Sequence, residues 1–178
     1  MTTADEAREA VERLTAVIPD FPQPGIMFRD LSPVFADGAA FRAVIDALIE
    51  PFRGRVDAVA GVEARGFVLA AAAAYALGTG VLVIRKAGKL PRPVIGEQYA
   101  LEYGTATLEL HPDELPAGSR VLVLDDVLAT GGTLAAATAL VERAGWVVAG
   151  VSVVLELEEL HGRDALGDRD IRALSRHR

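Results

Sequence analysis

Apolar residues near the start of the chain recur with a helical period. Ala7, Val11, Leu14 and Ile18 fall on one stripe, which predicts a helix from Ala4 to Ile18. The segment PDFPQPG, Pro19 to Gly25, ends it, because three prolines and a glycine cannot continue a helix. A second helix is expected over DGAAFRAVIDALIEPF, opening at Asp37 and closing near Pro51. Beyond it the pattern changes. VDAVAGVE reads as a short strand, ARGF as a turn, and the alanine-rich run to Leu77 as a helix stopped by Gly78 and Gly80. VLVIRKA is a β-branched strand, and the proline-bearing stretch from Gly88 to about Gln98 reads as irregular. TATLEL alternates as a half-buried strand should. VLVLDD, after the turn PAGS, is a continuous apolar run of the kind buried on both faces. A helix from Thr133 to Ala144 and a last buried strand, WVVAGVSVVLEL, complete the series.

Strands alternating with helices of about a dozen residues predict an α/β fold, a parallel-sheet core with flanking helices and right-handed crossovers. There is no internal repeat and no low-complexity linker, so one domain is expected over 1–178. The first 30 or so residues and the last 20 flank the alternating core and are expected to fold back together as a cap over one edge. In open α/β sheets ligands bind beyond the carboxyl ends of the strands. That rule gathers Glu63 to Gly66, Arg85 to Arg92, Asp125 to Thr133 and the segment from Glu156 onward on one side.

Composition narrows the function. Of 178 residues 51% are hydrophobic, enough for a full core, yet no run approaches the roughly 18 uncharged apolar residues of a membrane span. The acidic, amphipathic start, MTTADEAREAVERL, lacks the apolar region of a secretory signal. The absence of cysteine excludes disulfides, thiolate zinc sites and cysteine nucleophiles together, and His111, His161 and His177 lack ligand spacing. A cytoplasmic location is expected, with no membrane partner. A net charge of −7 repels nucleic acid. Against that background RKAGKLPR, four cations in eight residues, needs a reason.

The segment DDVLATGGT supplies chemistry. Gly131 and Gly132 permit close backbone approach, Thr130 and Thr133 offer hydroxyls, and a helix opening at Thr133 aims its unpaired N–H groups into the same loop. Together these make a phosphate cradle. It is neither a GxxxxGK[ST] loop nor a GxGxxG turn. Two carboxylates beside a phosphate make sense if Asp125 and Asp126 bind the hydroxyls of a sugar carrying that phosphate, or a magnesium ion accompanying it. The alternative is an ordinary strand-end turn with a helix cap.

Asp-Asp after four apolar residues and before ATGGT resembles the phosphoribosyl-pyrophosphate (PRPP) motif of the type I phosphoribosyltransferase family. FPQPGIMFRDLSP, GVEARGF, RKAGKLP, YALEYG and LELEELHGRDAL are similar, in order, to its adenine-using branch, so the resemblance covers nearly the whole chain. It implies a Rossmann-like core with a small hood built from about 1–33 and 155–178, and a mobile lid at about 86–103. The implied reaction joins adenine to the ribose C1 of PRPP in purine salvage, giving AMP and pyrophosphate, with magnesium as cofactor and a homodimer as the working unit.

The resemblance also implies roles. Asp125 and Asp126 hold the ribose hydroxyls, directly or through magnesium, while Ala129, Thr130, Gly131, Gly132 and Thr133 wrap the 5′-phosphate. Arg65, Arg85, Lys86 and Lys89 neutralise pyrophosphate. Phe28 lies against the purine face, Arg29 reads the adenine edge largely through its backbone, and Leu157 closes the opposite face. Catalysis falls to Arg65, Asp125, Asp126 and Glu102. Glu102 either assists proton removal from the purine or orders the loop and its cations, with Tyr103 covering or packing beside it. Gly88 and Pro91 suit a lid that excludes water.

Three features depart from the family pattern. Arg92-Pro93 stands where glycine is common after KLP, IGEQYALEYG varies ahead of its tyrosine, and GDRDIRALSRHR ends basic, although Ile171 to Leu174 still suits a strand. Two other readings stay open: a relative using xanthine or hypoxanthine, and a non-catalytic nucleotide-sensing regulator on the same fold. Phe28, Arg29 and Leu157 argue against the first. The lid cations and acidic surface argue against the second.

Overall fold

The computed structural model describes residues 2–100 and 104–177. The chain runs α1 (Thr3–Leu14), β1 (Ala16–Pro19), β2 (Met27–Asp30), α2 (Ser32–Ala36), α3 (Gly38–Ile49), β3 (Ala58–Val62), α4 (Arg65–Leu77), β4 (Gly80–Lys86), β5 (Ile95–Ala100), β6 (Thr105–Leu110), β7 (Arg120–Leu128), α5 (Gly132–Arg143), β8 (Val147–Leu157) and β9 (Ile171–His177). Seven strands form one sheet in the order β5-β6-β4-β3-β7-β8-β9, parallel except for β6, which runs antiparallel to both neighbours. β1 and β2 pair as a separate antiparallel ribbon.

Period-2 patterning builds two cores, one on each face of the sheet. On one face Val59, Leu122 and Leu124 pack with α1, α3 and α4 through Val11, Ile45, Leu69 and Ala70. On the other Ala60, Val62, Val121 and Val123 pack with α5 through Leu134, Ala137 and Leu140. The chain turns from β3 to β4 on one side and returns to β7 on the other side of β3, so the order reverses between β3 and β7. In sheets of this kind the crevice at that reversal binds ligands, and here the loops after β3 and β7 face each other across it.

The caps explain several boundaries. Asp37 accepts hydrogen bonds from the Ala39 and Ala40 amides and starts α3. Left-handed Gly78 stops α4. The Ala4–Ile18 helix is corrected at its end: α1 stops at Leu14, and Val17 and Ile18 belong to β1, paired with Arg29 and Phe28. Two successive β-branched residues and a partner strand outweigh the i, i+4 continuation. The stretch from Gly88 to Gln98 is only partly irregular, since Ile95–Ala100 is a strand laddered along β6. Prolines 91 and 93 end just before it, outside the ladder. The basic ending is β9, the parallel edge strand beside β8, and α1 lies on it through an Arg8 Nε hydrogen bond to the Leu174 carbonyl at 3.2 Å.

Candidate active site

Close backbone packing brings β3, α4 and β7 together. A Cβ on Gly61 would stand 2.5 Å from the Gly66 carbonyl oxygen, and one on Gly66 would stand 2.9 Å from that of Leu124 and 3.2 Å from Asp125 Oδ1. These glycines let the first turn of α4 settle on the end of β7, and that placement carries Arg65 to the acids. Asp126 Oδ2 lies 2.5 Å from Arg65 Nε, an ionic contact without hydrogen-bond alignment. The Asp126 side chain is only 8% exposed. The Arg65 guanidinium also stands 5.6 Å from the Phe28 ring centroid, so one cation lies against both Asp126 and an aromatic ring of β2.

Asp125 has a different setting. Its Oδ1 accepts the Asp126 amide at 2.9 Å, and it lines a small cavity with Leu128, Ala129, Thr130, Gly131 and Thr133. Burial, and secondly the charge of Asp126, push its carboxyl well above the ordinary aspartate range. The cavity holds about 70 Å³, room for roughly two waters at ~30 Å³ each, which suits a phosphate group and not a nucleoside. Gly131 caps α5 with φ +83°, which opens the amides of the first helical turn toward this cavity.

Gly162 was not singled out by sequence, yet it braces this loop. A Cβ on Gly131 would collide with the Gly162 carbonyl, and a Cβ on Gly162 would collide with the Ala129 carbonyl. Gly162 is held in turn by Arg163, whose Nε and Nη2 donate to Glu156 at 2.6 and 2.8 Å, with Arg176 Nε 3.3 Å from the same carboxylate. Those hydrogen bonds, chiefly from Arg163, hold the buried Glu156 carboxyl below its ordinary range. In the sequence it lies within the motif LELEELHGRDAL, which carries no role for it.

The cations gather at the end of β4. Lys89 Nζ contacts Glu63 Oε1 at 2.5 Å, and Arg85 Nε lies 3.5 Å from Glu63 Oε2. The Lys86 amide donates to the same Oε2 at 3.0 Å. Glu63, two residues upstream of Arg65, is thus a member of the site that no sequence motif marks for a role. Arg92 goes elsewhere. It pairs with Glu114 at 2.5 Å and Asp113 at 3.5 Å, beside the start of β4 and far down the strand from Lys86.

Arg29 and Leu157 line one 340 Å³ pocket with Met27, Leu160 and His177. Phe28, on the alternate face of β2, packs edge-on to Phe21 at 5.1 Å between centroids and against Arg65. The Ala100 carbonyl oxygen and the Tyr99 ring, at the end of β5, lie 3.4 and 3.6 Å from where a Gly132 side chain would begin, so β5 reaches the start of α5. Glu102 and Tyr103 lie outside the described residues. Among the described residues no three His, Cys, Asp or Glu groups converge as a metal site, and no helix is long and apolar enough to cross a membrane.

Residues 35–171 match the phosphoribosyl transferase domain family. The chain is 70% identical to an adenine phosphoribosyltransferase of Renibacterium salmoninarum over 97% of its length and 94% of the relative's. It resembles the crystal structure of adenine phosphoribosyltransferase from Thermoanaerobacter pseudethanolicus with a TM-score of 0.92 and 43% identity, covering 96% and 99% of the two chains. The enzyme from Saccharomyces cerevisiae, solved with an imino-altritol bisphosphate and adenine, matches with a TM-score of 0.90 and 38% identity over 96% and 99%.

Proposed function

The chain belongs to the phosphoribosyl transferase domain family, and we propose that it moves the 5-phosphoribosyl group of PRPP onto adenine, releasing AMP and pyrophosphate. In this reaction the bond from ribose C1 to the pyrophosphate oxygen breaks, a bond from C1 to adenine N9 forms, and N9 loses its proton. Positive charge grows on the ribose while negative charge departs, as in other glycosyl transfers. The observation that carries the reading is the meeting of two opposite environments at the reversal of strand order. Asp125 and Asp126 stand near the end of β7 with Arg65 of α4 against Asp126, and Arg85 and Lys89 gather on Glu63 at the ends of β4 and β3, the strands next in order.

In this reading the amides and hydroxyls of Ala129 to Thr133 hold the 5′-phosphate. Asp125 and Asp126 take the ribose hydroxyls and favour the cationic sugar electrostatically. Arg65, Arg85, Lys86 and Lys89 stabilise the departing diphosphate. Arg29 offers backbone donor and acceptor to the adenine edge, Leu157 covers one face of the ring, and Phe28 meets it from the side of Arg65. Glu102 remains the carboxylate for either the N9 proton or the ordering of the lid. Residues 1–33 with 155–178 act as the hood and 86–103 as the lid.

Asp125 and Asp126 are the residues that would hold the magnesium ion of the reaction. Adjacent carboxylates at Asp125 and Asp126 suit a shared ion: no third protein ligand joins them among the described residues, so the substrate would supply the other oxygens. Bound there, the ion supplies charge neutralisation for the leaving diphosphate. A cytoplasmic homodimer belongs to the same proposal. The outer face of α4 supports self-association, since Val68 and Tyr75 are exposed with Val81 nearby and no charged residue follows Arg65 within the helix. Sedimentation of the purified chain checks it, and a monomer at all concentrations would remove that part.

The activity is tested by following AMP formation from PRPP and magnesium with adenine, hypoxanthine and xanthine in competition. Adenine is consumed first by a wide margin. Equal or preferential use of an oxopurine would overturn the assignment of the base pocket, and no product from any base would favour the non-catalytic alternative.

A further inference from the structure

We infer that Glu63 is a positioning residue that holds the place of pyrophosphate, occupying its cations between turnovers and competing with it for them. The inference rests on the phosphoribosyl-transfer reading above and assigns that site an internal competitor.

The Glu63 carboxylate is mostly buried, 11% exposed, at the carboxyl end of β3. Its two oxygens are each occupied. Oε1 takes Lys89 Nζ at 2.5 Å, while Oε2 takes the Lys86 amide at 3.0 Å and lies 3.5 Å from Arg85 Nε. Arg85 Nη1 also donates to the Lys89 carbonyl at 3.3 Å, which closes the turn on itself. Of the three cations expected at pyrophosphate around the end of β4, Lys89 and Arg85 therefore meet this anion through their side chains, and Lys86 through its backbone amide alone. The Arg85 Nε contact is ionic only, since that buried donor makes no hydrogen bond. The Lys89 hydrogen bond, foremost, keeps the carboxyl below its ordinary range, so Glu63 is charged wherever the protein is at neutral pH.

An anion in this position has two opposing effects. It gathers two long cationic side chains that would otherwise repel each other, which lowers the ordering cost of binding. It also opposes a second anion approaching the same cations, and a like charge a few ångströms away acts strongly in a partly desolvated site. A diphosphate carries several negative charges and a glutamate one, so the repulsion outweighs the ordering. The net result is a site poised to release its product: as pyrophosphate leaves, Lys89 and Arg85 return to Glu63.

The test uses the full-length protein and inorganic pyrophosphate in magnesium buffer, with Kd measured by calorimetry for wild type and Glu63→Gln. The variant binds pyrophosphate about tenfold more tightly, about 1.4 kcal/mol, and its KM for PRPP falls while AMP affinity stays within twofold. In the Lys89→Met background the same Gln substitution tightens binding less than threefold. Unchanged or weaker pyrophosphate binding in Glu63→Gln would overturn the inference and leave Glu63 a structural brace. Failure of the wild-type protein to bind pyrophosphate at all would instead overturn the underlying reading of the site. A crystal structure of the unmodified protein with pyrophosphate tests the exchange without substitution. Lys89 Nζ then sits on a phosphate oxygen, and a Lys89 still within 3 Å of Glu63 Oε1 would overturn the exchange.

Discussion

The bracing of the loop at 129–131 by Gly162 predicts a large effect from a single methyl group. Gly131→Ala places a Cβ into the Gly162 carbonyl at a residue whose φ is +83°. The left-handed backbone costs an L-residue roughly 1–2 kcal/mol, and an unaccommodated methyl in a packed region costs roughly 1–3 kcal/mol more. The sum, about 2–5 kcal/mol, shifts Tm downward by some 4–20 °C at the ~2–4 °C per kcal/mol of a chain this size. Gly78→Ala is the control. Its φ is +67°, but nothing lies within 4 Å of the new methyl, so it bears the backbone cost alone. Differential scanning calorimetry of the two variants separates the terms, and initial rates against PRPP and adenine report on function. Gly131→Ala melts clearly below Gly78→Ala and raises KM for PRPP at least tenfold, with a smaller effect on KM for adenine. Equal melting temperatures, or unchanged kinetics in Gly131→Ala, would refute the contact between the two loops as the thing that shapes the cradle.

Other substitutions probe the charges. Asp125 has a folded-state pKa above its unfolded one, so its contribution to stability is present at pH below the unfolded value and is lost as pH rises through the folded value. Burial, and secondly the charge of Asp126, disfavour its ionised form. Asp125→Asn therefore raises Tm, by about 0.5–2 kcal/mol of added stability, while abolishing most turnover; calorimetry and the AMP assay check both, and a destabilised variant would contradict the burial argument. Glu156 has the opposite sign: its depressed pKa gives stability that is complete above the unfolded carboxylate range and lost as pH falls through the folded value. Glu156→Gln loses that acid-side limb in urea titrations from pH 7 downward, and an unaltered pH profile would refute the pairing. Arg163→Leu costs roughly 2–3 kcal/mol, less than the 3–5 kcal/mol of a fully stranded buried charge, because Arg176 stays at 3.3 Å. Arg65→Ala weakens pyrophosphate and PRPP more than AMP in equilibrium binding, and equal losses for all three would count against its place at the leaving group.

The parts of this molecule that were legible in its sequence are those whose cause is local. The Asp-Asp pair, the glycines after it and the opening of α5 lie within nine residues and carry their chemistry with them. The alternation of apolar strand and helix is likewise local, and it located β3, β4, β6, β7 and β8 to within a few residues. What escaped depends on partners distant in the chain. Residues 16–18 continue a helical stripe until β2 is present to pair with them. β5 is hidden behind two prolines until β6 supplies its ladder. Gly162 means little until the loop at 129–131 lies on it, and Glu63 reads as the end of a strand until Lys89 and Arg85 fold back. The Arg92-Pro93 departure is explained in the same way. Arg92 is tied to Glu114 and Asp113 at the other end of β4, so its charge is not added to the cations gathered on Glu63.

The central claim is that one cavity presents carboxylates to the sugar and cations to its leaving group, with the 5′-phosphate fixed by the loop after β7. A crystal structure of the protein with AMP tests it most directly. The account predicts the nucleotide phosphate within hydrogen-bonding distance of the amides of residues 130–133, the ribose hydroxyls at Asp125 and Asp126, and the adenine beside Arg29 and Leu157. A nucleotide bound away from residues 125–133, or one whose phosphate lies on Arg85 and Lys89 instead, would contradict it.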